Sequence, residues 1–377
     1  MDSNVIYLDA NSTVPIRPGA ESVLERGALY WANPSSLSKG GRLVRVAIEK
    51  ARENLAQLAG VTSDQIIFTS GATEANITAI HAACIAYPKR KHIVTSVVEH
   101  SSILKHCDYL NRNHGFRITK LGVDFEGMIS ESELMAALED PPAIVSLILA
   151  NNETGRVWPV ADYAKLCQQE GVLFHTDAVQ AFGKIQLPDS SGFPDFVTVS
   201  AHKLGGVKGC GALILRDPNS FTPMFHGGNQ EWGNRGGTEN VLGILCFGAA
   251  ILELLTNKTN WAQTSKFRDK MEVNLLAKIP LAQVHCRNGR RLPNTSSIYI
   301  PGVESQALVT YLDSREIIVS SGSACMETAL TPSHVIQALA SYETATETIR
   351  VSLTPETTGG ELSKFVDVLL EATELIG

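Results

Sequence analysis

Three apolar stretches that each end in polar residues decide the fold: AIVSLILANNETG (143–155), VLFHTDAVQ (172–180) and FVTVSAHK (196–203). Each begins with a run of Val, Ile, Leu or Phe, which is typical of a strand buried on both faces. Similar runs separated by helical stretches occur on both sides, and they predict further strands at 65–69, 92–98, 116–121 and 211–216. Buried strands alternating with helices predict an α/β fold with a mostly parallel central sheet in a large domain.

The length and the pattern of the chain predict two domains. A chain of 377 residues is long enough for two or three domains. A helix predicted at 239–255 precedes the polar segment 256–267, which is the best boundary. Beyond it, strands predicted at 296–300, 316–321 and 348–353 alternate with helices and indicate a smaller α+β domain. We expect a large domain at 15–255 and a small domain formed by 1–14 and 256–377.

The composition excludes several classes of protein. Hydrophobic residues make up 44% of the chain, and 32 basic against 39 acidic residues give a net charge of −7. This balance excludes a disordered chain and argues against direct binding of nucleic acid or of an anionic membrane. The longest apolar run, at 241–252, has 12 residues, whereas a membrane span needs about 20. The N-terminus lacks the basic region of a signal peptide, so we expect a cytoplasmic protein.

The seven cysteines are scattered, and no CxxC pair occurs, so we expect no metal site and no disulfide framework. A buried, unreactive thiol is the default for each of them. Cys325 differs because it ends the turn-prone segment SGSAC (321–325), which predicts an exposed loop. An exposed thiol can lose its proton and attack, so Cys325 is a candidate nucleophile.

Polar clusters follow the predicted strands and indicate an active site. EH (99–100), NNETG (151–155), DAVQ (177–180) and SAHK (200–203) each begin where a strand ends. In open parallel sheets, ligands bind at the carboxyl ends of the strands. Ordinary turn chemistry is the alternative, but it accounts for Asn, Asp, Gly and Ser and leaves the His and Lys unexplained.

Two of these clusters point to pyridoxal phosphate (PLP). Lys203 follows a buried strand, where an amine can serve imine chemistry, and Asp177 follows another strand. PLP enzymes need such a lysine and a carboxylate for the pyridinium nitrogen. SGATEAN (70–76) places Ala72 and Thr73 at a helix N-terminus, where their amides can bind an anion, although a capped helix without a ligand is equally consistent. The sequence is not a nucleotide-binding P-loop.

The motifs taken together resemble the cysteine desulfurases of the NifS/IscS type, which are class V PLP enzymes of fold type I. The resemblance extends over nearly the whole chain, and HTDAVQ, SAHK, RGGTEN and SSGSAC are its most specific parts. It also includes YLDANSTVPIRP (7–18), NPSSLSKGGR (33–42), FTSGATEAN, VVEHSSIL, ANNETG, GGNQEWGNRGGTEN (227–240), RLPNTSSI (291–298) and TIRVSL.

The resemblance implies a set of cofactor ligands. Lys203 carries PLP covalently and moves protons, Asp177 pairs with the pyridinium nitrogen, His100 stacks on the ring as a possible acid or base, and Gln180 bonds the ring oxygen O3′. Asn152 lies beside the ring and the substrate. The phosphate is assigned to Ala72, Thr73, Ser200 and His202 of the same chain.

The resemblance also implies the substrate, the nucleophile and the assembly. Arg350 grips the carboxylate of L-cysteine, and Cys325 takes its sulfur as a persulfide while L-alanine leaves. Thr238 matches a phosphate contact made to the partner subunit's cofactor, which implies a homodimer. The sulfur then passes to a protein acceptor for iron–sulfur cluster assembly, tRNA thiolation or DNA phosphorothioation.

A few positions depart from the pattern, and two other functions stay open. Asn229, Trp232, Met326–Thr328 and Gln337 stand where relatives usually carry other residues. None of them removes a catalytic group, so they bear on loop behaviour, acceptor docking and rate. The alternatives are a selenocysteine lyase or other class V enzyme, and a PLP-bound scaffold of a sulfur-transfer complex that does not itself turn over.

Overall fold

The computed structural model describes residues 5–257, 259–322 and 332–376. Its strands are β1 Ile6–Tyr7, β2 Ile66–Thr69, β3 His92–Ser96, β4 Arg117–Leu121, β5 Ile144–Ser146, β6 Leu173–Asp177, β7 Phe196–Ser200, β8 Gly211–Leu215, β9 Gln283–Val284, β10 Thr295–Tyr299, β11 Ile317–Ile318 and β12 Thr348–Ser352. Its α-helices are α1 Pro18–Glu25, α2 Lys39–Ala59, α3 Ala72–Ala86, α4 Ser101–His114, α5 Glu131–Leu138, α6 Val160–Gln169, α7 Val241–Asn257, α8 Trp261–Lys278, α9 Ser305–Asp313, α10 His334–Leu339, α11 Tyr342–Thr346 and α12 Gly359–Ile376.

The predicted central sheet is confirmed. Its seven strands run in the order β2-β8-β7-β6-β5-β3-β4. The pairs from β7 to β4 are all parallel, and only β8 runs antiparallel to its two neighbours, β7 and β2. Strands β2, β3, β5, β7 and β8 are buried along their whole length, as expected for a sheet covered by helices on both faces.

The longest apolar run forms a buried helix of the large core. It lies in α7, which packs against α2 so closely that a Cβ on Gly248 would approach the Ala51 Cβ to 2.4 Å. Only glycine fits this crossing. Within the described residues, no single helix is long and apolar enough to cross a membrane, although α7 and α8, bent by 85° at their junction, meet that test as a pair by length and composition alone.

A second hydrophobic core joins the two ends of the chain. It contains Ile6 and Leu8 together with residues of α8, α9, α12 and the strands between them. Strands β12, β10 and β9 form an antiparallel sheet, and β1 pairs with β11 in parallel. The domain limits 15–255 and 256–377 with 1–14 stay a prediction.

The strand order places the polar clusters at one edge. Because β3, β5, β6 and β7 are neighbours and parallel, the segments after them emerge at the same end of the sheet. Antiparallel β8 begins at that end, where a Cβ on Gly211 would lie 2.8 Å from the Gly71 carbonyl carbon. This close approach packs the turn before α3 against the same edge.

Candidate active site

A cavity of about 530 Å³ opens at the carboxyl ends of the parallel strands. It is formed by the segments after β2, β3, β5, β6 and β7, by the N-terminal segment and by β12. The structure brings together ten of the residues predicted from the sequence. They are Ala72, Thr73, His100, Asn152, Asp177, Gln180, Ser200, His202, Lys203 and Arg350.

Lys203 ends a short 3₁₀ turn that directly follows β7. Its Nζ donates hydrogen bonds to the backbone carbonyls of Asn11 and, at 2.7 Å, of Ser12. These residues belong to the segment after β1, which crosses over the cavity from the second core. The lysine is therefore held at its predicted strand end by backbone of the chain's first dozen residues.

Asp177 is the buried last residue of β6. Its Oδ2 accepts a hydrogen bond of 2.8 Å from Asn76 Nδ2 on α3, and its Oδ1 accepts one of 2.9 Å from the amide of Val179. Neutral donors thus orient the carboxylate, which keeps lone pairs for a cationic N–H in the cavity.

A second carboxyl lies behind Asp177 and was not assigned a role from the sequence. Glu99 is completely buried after β3, and it accepts hydrogen bonds from Ser96 Oγ and the amide of Ile148. Burial raises its pKa to about 8, and the charge of Asp177 adds to this effect. This raised pKa favours the protonated form of Glu99 near neutral pH.

His100 caps the N-terminus of α4. Its Nδ1 accepts a hydrogen bond of 3.2 Å from the amide of Ser102, so the neutral ring carries its proton on Nε2. Ser102 Oγ, 2.8 Å from Nδ1, also receives a hydrogen bond from Asn76. Asn76 consequently ties His100 to Asp177, a link that the motif SGATEAN contained but that spacing alone could not reveal.

The opposite end of the cavity is suited to an anion. Helix α3 begins at Ala72, and the first amides of a helix have no intrahelical acceptor. Lys208, which sequence reasoning did not single out, lines the cavity beside His202. Burial, with the charges of Lys203 and Lys208, lowers the pKa of His202 to about 4, so its ring is neutral. A neutral donor and nearby cations favour a phosphate here.

Arg350 lies in β12 and reaches the cavity from the second core. Its Nη2 donates to Asp9 Oδ1 at 2.7 Å and to Ser12 Oγ at 2.8 Å, and its Nη1 donates to the Asn152 carbonyl at 3.2 Å. Within the described part of the chain, its buried Nε has no acceptor. The guanidinium therefore has donor capacity left for a carboxylate.

Glu153, next to Asn152, is a further cavity residue that was not assigned from the sequence. It is buried and accepts a hydrogen bond from Ser333 Oγ, just before α10. Burial raises its pKa to about 7, against the lowering effect of Ser333, Arg350 and His100.

Two predicted residues remain: Thr238, which does not line this cavity, and Cys325. Thr238 is exposed in a neighbouring depression of about 220 Å³, which shares Ser70 and Gly209 with the cavity. Cys325 and the departures Met326–Thr328 lie outside the described residues. Gly322 lines the cavity, three positions before Cys325 in the chain.

The six described cysteines are poor nucleophiles. Five are buried and Cys84 is half-buried. Burial raises the pKa of all six thiols, to about 12 for Cys84 and about 11 for Cys286. At neutral pH these groups stay protonated, and the thiol is far less reactive than the thiolate.

The other departures lie near the surface. Trp232 is half-exposed with φ 55°, and its ring covers the Arg52 guanidinium at 4.5 Å. Asn229 precedes this turn, and Gln337 lies on α10, where its Nε2 donates to the Pro332 carbonyl at 3.2 Å. None of these three residues lines the cavity.

The mostly parallel sheet, with a lysine and a carboxylate after adjacent strands and an anion site at a helix N-terminus, defines the fold type I class of PLP-dependent enzymes. The model of the aminotransferase class-V family matches residues 6–365. A cysteine desulfurase of Nostoc sp. is 40% identical over 374 residues, covering 98% of this chain and 93% of the relative. NifS of Azotobacter vinelandii is 38% identical over 367 residues, covering 96% and 90%. The chain therefore belongs to the class-V aminotransferase family and, within it, to the cysteine desulfurases of the NifS and IscS type.

Solved structures agree with this assignment. A NifS-like protein from Rickettsia africae has a TM-score of 0.87 and 33% identity, covering 98% of this chain and 99% of that protein. A structure described as SspA in complex with cysteine has a TM-score of 0.82 and 30% identity, covering 94% of this chain and all of that protein.

Proposed function

We propose that this enzyme is a cysteine desulfurase that uses PLP held by Lys203, takes sulfur from L-cysteine and leaves L-alanine. The observation that carries this proposal is the single cavity onto which Lys203, Asp177 and Arg350 converge. A lysine, a carboxylate and a guanidinium are the three groups that PLP chemistry on an amino acid requires. The cysteine desulfurase relatives and the cysteine complex of SspA support L-cysteine as the substrate.

The residues present fit PLP at both ends. The start of α3, Lys208 and the neutral His202 suit the phosphate, whereas Asp177 lies at the opposite end as a carboxylate that the Asn76 amide and the Val179 N–H hold. When bound, PLP would withdraw electrons from the α-carbon of the substrate and so make the sulfur on the neighbouring β-carbon open to attack. Asp177 supports this withdrawal by holding a proton on the ring nitrogen.

The protein's own side chains supply the remaining steps. Arg350 binds the substrate carboxylate through donors that Asp9, Ser12 and the Asn152 carbonyl do not use. Lys203 takes and returns a proton at the α-carbon. His100 accepts the Ser102 amide through Nδ1, so its Nε2 carries the proton and can serve as an acid.

Cys325 receives the sulfur. Its thiolate attacks the sulfur atom of the substrate, an S–S bond forms as the C–S bond breaks, and the carbon receives a proton to give alanine. L-cysteine plus the Cys325 thiol thus becomes L-alanine plus a Cys325 persulfide, with all atoms balanced. Gly322 lines the cavity, and three residues of chain span at most roughly 11 Å. The thiol is therefore tethered within reach of the site.

The exposed apolar surface and the position of Thr238 support a homodimer. Trp31 is 87% exposed, Leu37 82%, Val46 70% and Leu29 66%, all within 18 consecutive positions. Large apolar side chains clustered at a surface mark an interface. Thr238 faces outward beside Ser70, which suits a contact to the phosphate of a second subunit. We propose a cytoplasmic homodimer that passes sulfur to a protein acceptor in iron–sulfur assembly, tRNA thiolation or DNA phosphorothioation.

Product analysis of single cysteine variants tests this function. The purified enzyme is incubated with L-cysteine and a thiol reductant, and alanine and sulfide are measured for the wild type, for Cys325→Ser and for Cys84→Ser. Cys325→Ser should keep the PLP absorbance band and lose nearly all alanine formation, because a hydroxyl cannot accept sulfur. Cys84→Ser is the matched control and should stay active. A persulfide that mass spectrometry maps to another cysteine would contradict the mechanism, and activity confined to L-selenocysteine would favour a lyase.

A further inference from the structure

A buried lysine lies behind the cavity, and the steps above do not use it. Lys184 is 7% exposed and follows β6 by seven positions. Its Nζ donates to Gln180 Oε1 at 3.1 Å and to Asn11 Oδ1 at 3.3 Å. Both acceptors are neutral amide oxygens. The charged groups that act on it, Lys203 and Arg350, are positive as well, and burial with these charges lowers its pKa to about 7.

Burying such a lysine lowers the stability of the folded protein. No carboxylate of the described residues pairs with this amine, which loses its hydration on burial, and well-packed apolar residues often replace buried charged groups at no cost. The role of Lys184 must therefore lie in its two hydrogen bonds. Both are made to residues that line the cavity, Gln180 and Asn11.

Lys184 and the Asn11 carbonyl together fix the orientation of the Gln180 amide. A lysine only donates, so it can face the oxygen of Gln180 but not the nitrogen. On the other side, Gln180 Nε2 donates to the Asn11 carbonyl at 2.8 Å, which only accepts. The two contacts select the same orientation of the amide, and the second N–H of Gln180 stays available to a ligand of the cavity.

Asn11 links Lys184 to Lys203. The backbone carbonyl of Asn11 accepts from both Gln180 Nε2 and Lys203 Nζ. Its side-chain oxygen accepts from Lys184 and, at 3.1 Å, from Asn294 Nδ2. Asn11 thus accepts hydrogen bonds from two amines: its backbone carbonyl accepts from Lys203, and its side-chain oxygen accepts from Lys184.

We propose that Lys184 is a positioning residue, which holds the Gln180 amide with its nitrogen toward the cofactor's ring oxygen. It acts through Gln180 and touches no reacting atom. The proposal rests on the proposed function, because it presumes that PLP occupies the cavity.

A double-mutant cycle on PLP affinity tests this role. Apoenzyme of the wild type, Lys184→Met, Gln180→Ala and the double variant is titrated with PLP, and the dissociation constant is read from the absorbance band. Lys184→Met should weaken binding by about tenfold in the wild type, the effect of one hydrogen bond to a charged group. In the Gln180→Ala background it should weaken binding by less than about twofold, because the contact it supports is already gone. Exposed Lys165→Met is the matched control and should bind PLP as the wild type does.

The competing outcomes are separable. Equal losses in both backgrounds, or no loss, would show that Lys184 serves stability alone and overturn the proposal. The pH titration of the bound-PLP absorbance gives a second readout, which should shift in Lys184→Met and not in Lys165→Met. If Lys184→Met fails to fold, Lys184→Gln takes its place in the same cycle. Wild-type apoenzyme that binds no PLP would refute the proposed function, a result distinct from a cycle without coupling.

Discussion

The buried pair between Arg52 and Glu231 gives the sharpest stability prediction. Arg52 on α2 donates to the two carboxylate oxygens of Glu231 at 2.6 and 2.8 Å, and the two side chains are 2% and 3% exposed. The guanidinium lies between the rings of Phe68 and Trp232, at 4.7 and 4.5 Å. Glu231 also accepts the Phe68 amide at 2.9 Å. Replacing Glu231 by Ala removes the acceptor of both Arg52 hydrogen bonds and of the Phe68 amide.

The expected loss of stability follows from the groups that remain buried in the Glu231→Ala variant. Glu231→Ala leaves the Arg52 guanidinium buried with the half-exposed Glu49 and the Ile66 carbonyl as its hydrogen-bond partners among the described residues, and it leaves the Phe68 amide in β2 without its acceptor. Breaking a buried ion pair from one side costs about 3–5 kcal/mol. For a domain of this size, each kcal/mol lowers the melting temperature by roughly 2–4 °C, so we expect a loss of roughly 6–20 °C.

Thermal unfolding of the apoenzyme, followed by circular dichroism, measures the effect. Glu53→Ala is the matched control, because it breaks a 2.8 Å ion pair with Lys50 on the same helix. The side chains of Lys50 and Glu53 are 67% and 56% exposed. Exposed pairs contribute about 0–1 kcal/mol, so this variant should melt within roughly 4 °C of the wild type. Equal melting temperatures for Glu231→Ala and Glu53→Ala would refute the reasoning.

Three further predictions concern the site. Borohydride reduction of the PLP-bound enzyme should fix the label on Lys203, and Lys203→Ala should be colourless; a label on another lysine contradicts the assignment. Mixed dimers of Lys203→Ala and Thr238→Ala chains should regain activity, because one site then carries both defects and the other carries neither; activity that only averages the parents argues against shared sites. Burial raises the pKa of Glu99 to about 8, so the folded state keeps a proton that the unfolded chain releases near pH 4, and the stability this proton gives is lost as pH rises through 8. The free energy of unfolding of Glu99→Gln should therefore rise relative to that of the wild type as the pH goes from about 5 to about 8. An equal difference between the two proteins at about pH 5 and at about pH 8 would count against this prediction.

Much of the cavity could be predicted from the sequence because its groups follow strands. Asp177 ends β6 and Lys203 follows the end of β7 by three positions, and parallel neighbours bring such positions to one edge whatever the exact strand order. The direction of β8 could not be predicted in this way. Its run GALIL looks like any other buried strand, and its antiparallel pairing depends on the short connection from Lys203 to Gly211.

Contacts between distant parts of the chain were beyond sequence patterns. Asn11 and Lys184 carry no local signal of their own, since an asparagine before a turn and a lysine after a helical turn are common. The Arg52–Glu231 pair joins residues 179 positions apart, and nothing near Arg52 shows that its helix face will be buried. Tertiary packing chose these partners, so only the structure could reveal them.

The segment from Asp9 to Ser12 contacts both Arg350 and Lys203. Asp9 and Ser12 hold the Arg350 guanidinium, while the carbonyls of Asn11 and Ser12 hold the Lys203 amine. Arg350 lies in β12 and Lys203 follows a strand of the central sheet, so this segment links the residue proposed to bind the substrate carboxylate to the residue proposed to hold PLP. An amino acid bound to Arg350 must place its α-carbon beside Lys203 for a proton to move. Fixing both groups on four consecutive residues meets that requirement more directly than separate anchoring by the two cores would.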